Sequence, residues 1–289
     1  LGAVYGELTM KFVKMHGLGN DFVFIENKDG RDKNFSELAR CMCKRHTGIG
    51  ADGLIIIAGS DAADVRMRII NADGSEAEMC GNGIRCFAKY VYDSKIITKT
   101  EFSVETLAGI MKPKIIVDKN GDAGLVTINM GKPFTDRGSI PMAGSAGPVL
   151  NEEITVGGEP WKITSLFLGV PHTVTYVNDV EAVDINKWGP LFETHEVFPK
   201  NTNVNFTELI DDKTIKVRTW ERGAGATLAC GTGSCSAAVS SFLNGYTGRN
   251  VDVQLYLGSL HVEYNEDDGN VYMTGPAAVS FTGEWPDEV

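Results

Sequence analysis

Two short segments of this sequence repeat one pattern of reactive and flexible residues. Each reads Cys-Gly-x-Gly, first at residues 80–83 and again at residues 230–233. Cysteine can act as a general acid or base when its pKa lies near the working pH. Glycine lets a ligand approach the backbone closely because it has no side chain. The two segments therefore predict an active site that moves protons to and from an anionic substrate.

Each Cys-Gly-x-Gly segment lies where a loop is expected to become a helix. After each segment, apolar residues recur at the spacing of a helix. They are Ile84, Phe87, Ala88, Val91 and Tyr92 after the first segment, and Cys235, Ala238, Val239, Phe242 and Leu243 after the second. The first turn of a helix has unpaired N–H groups and a partial positive charge, which favour a bound anion and lower the pKa of a thiol. Both helices are expected to be buried.

Two such segments facing one another would hold one carboxylate between opposed helix ends. One sulfur would then lie on each side of the substrate's α-carbon. This arrangement can remove a proton from one face of a carbon and return a proton to the other face. The sequence therefore predicts stereochemical inversion by Cys80 and Cys230.

Other uses of these cysteines fit the sequence less well. A buried cysteine often serves as a small apolar residue, but that use does not account for a repeated Cys-Gly-x-Gly. A zinc site would need Cys-x-x-Cys or a nearby histidine. The closely spaced cysteines lack that pattern: Cys80 with Cys86, Cys230 with Cys235, and Cys41 with Cys43. No metal is therefore expected.

Composition limits the class of protein. The chain has 289 residues, of which 43% are hydrophobic, and a formal net charge of −11. The negative charge argues against nucleic acids and anionic membranes as partners, and no stretch supplies the roughly 20 apolar residues of a membrane-spanning helix. The first nine residues lack the pattern of a secretion signal. Six cysteines without such a signal predict a reducing, cytoplasmic location.

The chain is long enough for two domains of roughly 100–150 residues each. Short alternating segments, separated by turn pairs such as Asn120-Gly121 and Gly157-Gly158, predict strands and hairpins through most of the length. One long helix in each half follows its cysteine, and an amphipathic helix is expected near residues 35–43. These features predict an α+β fold with mostly antiparallel sheets. The halves are expected at residues 10–131 and 132–275, with the last strand, residues 276–289, a candidate to return to the first half.

Seven segments of the chain, taken in order, are similar to those of a known enzyme family. They occupy residues 15–22, 47–53, 71–76, 80–86, 105–109, 220–223 and 229–233. On these segments the chain resembles the diaminopimelate epimerases over nearly its whole length. The resemblance implies two pseudo-symmetric domains, each a mostly antiparallel curved sheet or barrel wrapped around a central helix, with the active site in the cleft between them. It also implies a homodimer.

The resemblance implies an activity that needs no cofactor. Diaminopimelate epimerases convert LL-2,6-diaminopimelate to the meso isomer, a step in the synthesis of lysine and peptidoglycan precursors. By resemblance, Cys80 and Cys230 are the acid–base pair, in which a thiolate removes the α-proton and a thiol protonates the opposite face. Four backbone N–H groups would stabilise charge on the substrate carboxylate, those of Gly81, Asn82, Gly231 and Thr232.

By the same resemblance, polar side chains bind the rest of the substrate. The distal ammonium and carboxylate would be held by Asn71, Asn203, Glu221 and Arg222, with Asn20 nearer the reacting carbon. A guanidinium suits a planar carboxylate, and a carboxylate suits an ammonium. His172 is a candidate to orient the site.

Two positions depart from the pattern seen in many relatives. Val170 stands where many have a substrate-binding asparagine, and Gly53 stands where some have a glutamine. An alternative hypothesis is therefore a cofactor-independent racemase of another amino acid, such as histidine, on the same scaffold. A second alternative is a non-catalytic binding module. Such a module would be expected to lose one of the two cysteines, whereas both are present.

Overall fold

The structure, a computed structural model, describes residues 9–27 and 34–286. Residues 1–8, on which the expectation about a secretion signal rests, lie outside the described residues. The described chain divides into two compact units. The first contains the residues up to Val126 and those from Pro276 onward, and the second is Thr127–Gly275. The boundary between the units lies between Val126 and Thr127. The boundary expected from the sequence lies slightly later, between residues 131 and 132.

The described chain is built mainly from strands. Its first elements are β1 (Thr9–Gly17), β2 (Asn20–Glu26), α1 (Phe35–Met42), β3 (Gly53–Ala58), β4 (Val65–Asn71), β5 (Glu76–Ala77), α2 (Gly81–Asp93), β6 (Val104–Thr106), β7 (Gly109–Met111), β8 (Lys114–Val117) and β9 (Ala123–Asn129). The remaining elements are β10 (Val149–Val156), β11 (Glu159–Leu168), β12 (Val170–Tyr176), α3 (Ile185–Glu193), β13 (Asn203–Leu209), β14 (Thr214–Glu221), β15 (Gly225–Thr227), α4 (Gly231–Leu243), β16 (Asn250–Leu255), β17 (Gly258–Tyr264), β18 (Val271–Gly275) and β19 (Ala278–Pro286). The predicted α+β class is confirmed.

The first unit is organised around one sheet. Its strand order is β19-β1-β2-β3-β4-β6-β7, with β5 beside β4. Neighbouring strands run antiparallel except β2 with β3 and β4 with β6, which are parallel. The last strand, β19, pairs along β1 from Thr9, opposite Pro286, to His16, opposite Ala278. The C-terminal strand therefore belongs to the first unit.

Two helices pack on the sheet of the first unit. The short helix α1 is capped at its N-terminus by Asn34, whose side chain accepts the N–H of Glu37, and the helix contacts β3 and β4. The longer helix α2 contacts β1 to β4. Its buried apolar residues are those expected from the spacing, namely Ile84, Phe87, Ala88 and Val91. Tyr92 is only half-buried. The helical pattern after Cys80 is confirmed.

The second unit has its own sheet. The strand order within it is β10-β11-β12-β13-β14-β16-β17-β18-β9, with β15 beside β14. Two neighbouring pairs, β12 with β13 and β14 with β16, run parallel. The predicted hairpin between β10 and β11 is confirmed, since Gly157 and Gly158 both have positive φ, 59° and 84°. Strand β12 begins at Val170, because Gly169, with a φ of 74°, turns the chain so that Val170 lies opposite Leu168.

Helix α4 is enclosed by the sheet of the second unit. It contacts strands β11 to β14 and β16 to β18. Its buried residues lie on all sides of the helix and are mostly small, including Ser234, Ser236, Ala237, Ala238 and Ser240. A helix without a polar face must be surrounded by protein. Small side chains let the strands approach it closely, so α4 is the central helix of its unit.

Helix α3 was not expected from the sequence. Its N-cap is Asp184, whose carboxylate accepts the N–H of Lys187, and its interior contains Gly189 and Pro190. Both residue types normally disfavour a helix interior. The helix forms because Ile185, Trp188 and Phe192 are buried in the core of the second unit. Tertiary packing therefore outweighs local propensity here.

Residues 9–27 and 34–286 contain neither a helix that could span a membrane nor a cluster of side chains that could bind a metal ion. No helix there is long and apolar enough to cross a membrane. No three or more His, Cys, Asp or Glu side chains there are grouped so that they could hold a metal ion.

Candidate active site

Cys80 is the N-cap of α2. Its backbone is extended, with φ −142° and ψ 121°, and its Sγ accepts a hydrogen bond from the N–H of Gly83 at 3.5 Å. Cys80 is half-buried. A Cβ on Gly83 would lie 3.2 Å from Ile55 Cδ1 and 3.4 Å from Cys80 Cβ, so the absence of a side chain lets the turn pack tightly. The sulfur therefore occupies the place where a helix normally binds an anionic or polar cap.

Asn20 and Asn82 surround the sulfur of Cys80. The Oδ1 atom of Asn20 lies 3.5 Å from Cys80 Sγ and accepts a hydrogen bond from Asn82 Nδ2 at 3.1 Å. Asn82 Oδ1 in turn accepts from Nη2 of Arg85 at 3.0 Å, and Arg85 also donates to the carbonyl of Gly81 at 3.3 Å. Arg85 is fully buried. Three expected substrate-binding residues therefore lie together here with Cys80.

A cluster of charged side chains, those of Asp21, Arg45 and Asp52, holds the Nδ2 end of the Asn20 amide. Asp52 accepts hydrogen bonds from Asn20 Nδ2 at 2.7 Å and from the N–H of Asp21 at 3.0 Å. Arg45 donates to both Asp52 and Asp21. Burial alone would raise the pKa of Asp21, but hydrogen bonds from Arg45 and Lys14 outweigh it, and the pKa is lowered. These charged residues fix the start of strand β2, which carries Asn20.

Asn71 is not joined to this cluster by the hydrogen bonds of its amide. It is exposed at the end of β4, opposite Gly53, and its Nδ2 donates to Ser75 Oγ at 3.0 Å. Its backbone N–H donates to the carbonyl of Ser75 at 2.8 Å. These bonds close the turn that precedes β5. Its role as a substrate ligand stays a prediction.

Cys230 is the N-cap of α4 and repeats the local geometry of Cys80. Its φ and ψ are −118° and 113°, and its Sγ accepts the N–H of Gly233 at 3.4 Å. Thr232 Oγ1 lies 3.5 Å from the same sulfur. The carbonyl of Cys230 accepts from Ser234 Oγ at 2.8 Å. Cys230 is only 5% exposed, so this sulfur is more enclosed than that of Cys80.

The pKa of the Cys230 thiol is raised well above its ordinary value. Burial is the main cause, and the negative charge of Glu221 is the next. Hydrogen bonds from Thr232 and from the N–H of Gly233 oppose the shift but do not cancel it. The start of helix α4 does lower the pKa of this thiol, through the N–H of Gly233, but burial and Glu221 raise the pKa by more. This residue rests as a protonated thiol.

Replacing Glu221 with glutamine is expected to lower the pKa of Cys230. Glutamine keeps an oxygen for the hydrogen bond from Thr227 Oγ1, which is 2.6 Å from Glu221 Oε1, but it removes the negative charge that disfavours thiolate. Alkylation of Cys230 by iodoacetamide, followed by mass spectrometry across a pH series without substrate, should begin at lower pH in Glu221→Gln. A matched variant is Glu208→Gln, which removes a carboxylate bonded to the N–H of Val180. An equal change in both variants would contradict the assignment.

Asn203, Arg222 and His172 form a second group near the end of the same sheet. Asn203 donates to the carbonyl of Pro171 at 2.9 Å and accepts the N–H of Arg222 at 2.8 Å, so its amide ties two backbone segments together. The exposed Arg222 side chain donates to the carbonyl of Lys200 at 2.8 Å. Asn203 lies opposite His172 in the register of β12 and β13. The predicted residues of the second half are therefore held on neighbouring strand ends.

His172 is fully buried, and its imidazole is neutral. Burial, followed by the positive charge of Arg222, lowers its pKa to about 3. Its Nδ1 lies 3.2 Å from Asn205 Nδ2, while its Nε2 has no hydrogen-bond partner among the described residues. Val170, two residues earlier, is half-buried at the start of β12. A neutral histidine at this position can donate or accept a hydrogen bond but does not carry a charge.

Comparison with known sequences gives one consistent family. The sequence profile of diaminopimelate epimerase matches residues 12–135 and 164–280. The chain belongs to the diaminopimelate epimerase family. It is 50% identical over 275 residues to the diaminopimelate epimerase of Methanococcus maripaludis, covering 95% of this chain and 99% of the relative. It is 50% identical over 280 residues to that of Heliobacterium modesticaldum, covering 96% and 100%.

Solved structures more distant in sequence share the fold of this diaminopimelate epimerase family member. A phenazine biosynthesis protein of the PhzF family from Bacillus anthracis matches with a TM-score of 0.68 at 15% identity, covering 96% of this chain and 99% of that one. A probable proline racemase from Agrobacterium radiobacter matches with a TM-score of 0.68 at 15% identity, covering 97% and 94%. These similarities support the α+β, two-unit architecture.

Several residues that hold the candidate site residues within each unit of this diaminopimelate epimerase family member were not expected from the sequence. Arg85 stands inside the first cysteine motif, but a charged residue is not expected to be fully buried. Asp52 stands within a segment that carried the resemblance, yet the sequence does not show its bond to Asn20. Asn205 follows Asn203 by two positions, the spacing that places two side chains on one face of a strand. That spacing was the available signal for Asn205.

Proposed function

We propose that this chain epimerises LL-2,6-diaminopimelate to meso-diaminopimelate without a cofactor, as a step in lysine and peptidoglycan precursor synthesis. The observation that carries the proposal is the repeated geometry of Cys80 and Cys230. Each caps a 13-residue helix and accepts a hydrogen bond from the N–H three residues later. Membership of the diaminopimelate epimerase family supports the substrate.

The proposed chemistry uses the two sulfurs in different protonation states. Cys230 rests as a thiol because burial and Glu221 raise its pKa, which suits a proton donor. Cys80 then serves as the thiolate that removes the α-proton of the substrate, and Cys230 delivers its proton to the opposite face. Two groups are required, since one base that returned its own proton to the same face would regenerate the starting isomer. The roles exchange in the reverse reaction.

The α-proton of an amino acid is a very weak acid, so charge that builds on the carboxylate must be stabilised. We assign this task to the backbone N–H groups at the starts of α2 and α4, those of Gly81, Asn82, Gly231 and Thr232. Loss of one such donor typically costs about 3 kcal/mol of transition-state stabilisation. The glycines at these turns allow the carboxylate to approach the backbone.

The remaining predicted ligands are proposed to bind the second amino-acid head of diaminopimelate. Arg222 would bind the distal carboxylate, and Asn71 and Asn203 would donate to it. Glu221 would attract the distal ammonium in addition to holding the proton on Cys230. Asn20 would lie nearest the reacting carbon because its Oδ1 faces Cys80 Sγ. His172, neutral and buried, would orient the site.

Deuterium incorporation at the α-carbon would test the substrate assignment. The protein is incubated in deuterated water with LL-diaminopimelate, and in parallel with histidine and other amino acids that have a single head. We expect exchange and inversion with diaminopimelate and at most slow exchange with the others. Val170 replaces an amide by an apolar side chain in β12. Faster inversion of a single-headed amino acid would favour the racemase alternative instead.

We also propose that the chain works as a homodimer in the cytoplasm, on the strength of the family resemblance. The formal net charge of −11 is consistent with a protein that binds neither nucleic acid nor anionic membrane. Light scattering coupled to size-exclusion chromatography should give twice the chain mass of 31.3 kDa. A mass equal to that of one chain at working concentration would contradict the dimer.

A further inference from the structure

Asn205 lies at the centre of the buried polar groups in the second unit. It is fully buried in β13, on the same face of the strand as Asn203. Its Oδ1 accepts a hydrogen bond from Thr219 Oγ1 at 3.0 Å. Its Nδ2 lies 3.2 Å from the carbonyl oxygen of Thr173 and 3.2 Å from His172 Nδ1. Both ends of the amide are therefore committed to partners.

These partners fix the orientation of the Asn205 amide and the tautomer of His172. The carbonyl oxygen of Thr173 can only accept a hydrogen bond, so the amide atom that faces it must be Nδ2. The second hydrogen of the same Nδ2 points to His172 Nδ1, which must then be the ring nitrogen without a hydrogen. A neutral imidazole has one N–H, so the proton of His172 is on Nε2.

The Nε2–H group of His172 is a hydrogen-bond donor without a partner in the described structure. It is buried and has no acceptor among the described residues. An unsatisfied buried donor is costly to the folded protein, and it is retained here because Asn205 Nδ2 donates to Nδ1 and so keeps the proton on Nε2. The imidazole also stays neutral near pH 7, because burial lowers its pKa to about 3. The ring can therefore donate from Nε2 without becoming charged.

The same amide lies against the turn that carries Cys230. A Cβ on Gly233 would lie only 2.4 Å from Asn205 Oδ1 and 3.1 Å from Thr219 Oγ1. The backbone of Gly233 therefore rests directly on this pair of side chains. The N–H of Gly233 is the donor to Cys230 Sγ at 3.4 Å. One buried amide thus contacts both the ring of His172 and the turn that caps the sulfur.

We propose that Asn205 is a positioning residue for the acid–base chemistry of this site. It fixes His172 as the tautomer that donates through Nε2, and it supports the Gly233 turn next to Cys230. Its effect on turnover rests on the proposed epimerase function, whereas the tautomer is a property of the protein without substrate. Aspartate has nearly the same shape but can only accept, so it cannot replace the amide in this role.

Nitrogen NMR of the ligand-free protein tests the tautomer directly. The protein is labelled with ¹⁵N-histidine, and the His172 signals are assigned by their absence in His172→Gln. We expect Nε2 to carry the proton and Nδ1 to be unprotonated throughout the neutral pH range. A proton on Nδ1, or a doubly protonated ring at neutral pH, would overturn the proposal. This measurement needs no variant of Asn205.

Asn205→Asp then tests whether the amide sets the tautomer. Its carboxylate would accept from Nδ1–H, so His172 should carry a proton on Nδ1 in this variant. The matched control is Asn244→Asp at the other end of α4, where the amide donates to Ser240 O and to Thr164 Oγ1, both at 2.8 Å. The control should keep the proton on Nε2 alone. An unprotonated Nδ1 in Asn205→Asp would refute the proposed role.

Turnover separates this proposal from the function on which it rests. In Asn205→Asp we expect kcat for diaminopimelate to fall by about 10- to 100-fold, as when the partners that orient a metal-ligating histidine are removed, with KM changed much less. Asn244→Asp should retain the wild-type kcat. An unchanged kcat in Asn205→Asp would exclude a positioning role. If the wild-type protein inverted no diaminopimelate while His172 showed the expected tautomer, the proposed function would fail and the tautomer assignment would stand.

Discussion

Replacing Cys80 or Cys230 with serine is expected to abolish epimerisation while the fold is retained. A serine hydroxyl is far too weak an acid to supply a base at neutral pH, and general acid–base catalysis typically contributes about 10²- to 10⁴-fold to a rate. Serine is also a favoured N-cap residue, so it can accept the N–H bond that each sulfur now receives from Gly83 or Gly233. Chiral chromatography of the product and circular dichroism of the protein would measure the two effects.

The matched control for these variants is Cys41→Ser. Cys41 lies in α1, where its Sγ is 3.9 Å from Glu37 Oε1, and it has no place in the proposed chemistry. This variant should epimerise at the wild-type rate. Inversion at near the wild-type rate by Cys80→Ser or Cys230→Ser would exclude the two-sulfur mechanism. Deuterium exchange without inversion in one variant would instead show that the remaining sulfur still removes a proton.

Gly233→Ala is expected to destabilise the second unit, because the added methyl group would overlap the side chains packed against Gly233. The new Cβ would lie 2.4 Å from Asn205 Oδ1 and 3.2 Å from Cys230 Cβ, both closer than a Cβ normally packs, and Asn205, Cys230 and Gly233 are all buried. Overpacking of this kind costs about 1–3 kcal/mol of stability. Urea unfolding followed by tryptophan fluorescence would report it, because Trp161, Trp188 and Trp220 all lie in the second unit.

The control for Gly233→Ala is Gly248→Ala in the same unit. A Cβ on Gly248 would meet nothing within 4 Å, and its φ is not in the left-handed region. This variant should unfold at or slightly above the wild-type urea concentration, because alanine reduces the conformational freedom of the unfolded chain. Activity should fall with Gly233→Ala and not with Gly248→Ala. Equal stability of the two variants would contradict the close packing under Cys230.

The sequence predicted those elements whose residue pattern is compatible with only one type of local structure. Apolar residues at helical spacing after Cys80 and Cys230 predicted α2 and α4, because a helix must bury its apolar face. The turn at Gly157 and Gly158 was predictable because few residues adopt positive φ there. The cysteines at both helix starts could be located from the Cys-Gly-x-Gly pattern alone.

The remaining features depend on which residues meet in space. Nothing in the sequence places Glu221 against Cys230, although that contact, together with burial, raises the pKa of the thiol. Arg85 was missed because arginine is seldom fully buried, and its hydrogen bonds to Gly81 and Asn82 compensate for that burial only in the folded chain. Helix α3 was missed since its propensity is poor and its stability comes from the core.

The pairing of β19 with β1 constrains how the protein is made. Thr9 Oγ1 donates to Glu284 Oε2 across a separation of 275 positions, so the sheet of the first unit closes only after residue 286 has left the ribosome. Domains generally fold as units during synthesis. Thr127–Gly275 is a contiguous segment and can complete its sheet earlier. Until β19 arrives, the nascent chain exposes the unpaired edge of β1, which is a site for wrong strand pairing. The first unit, whose synthesis begins first, is therefore the last to complete its sheet.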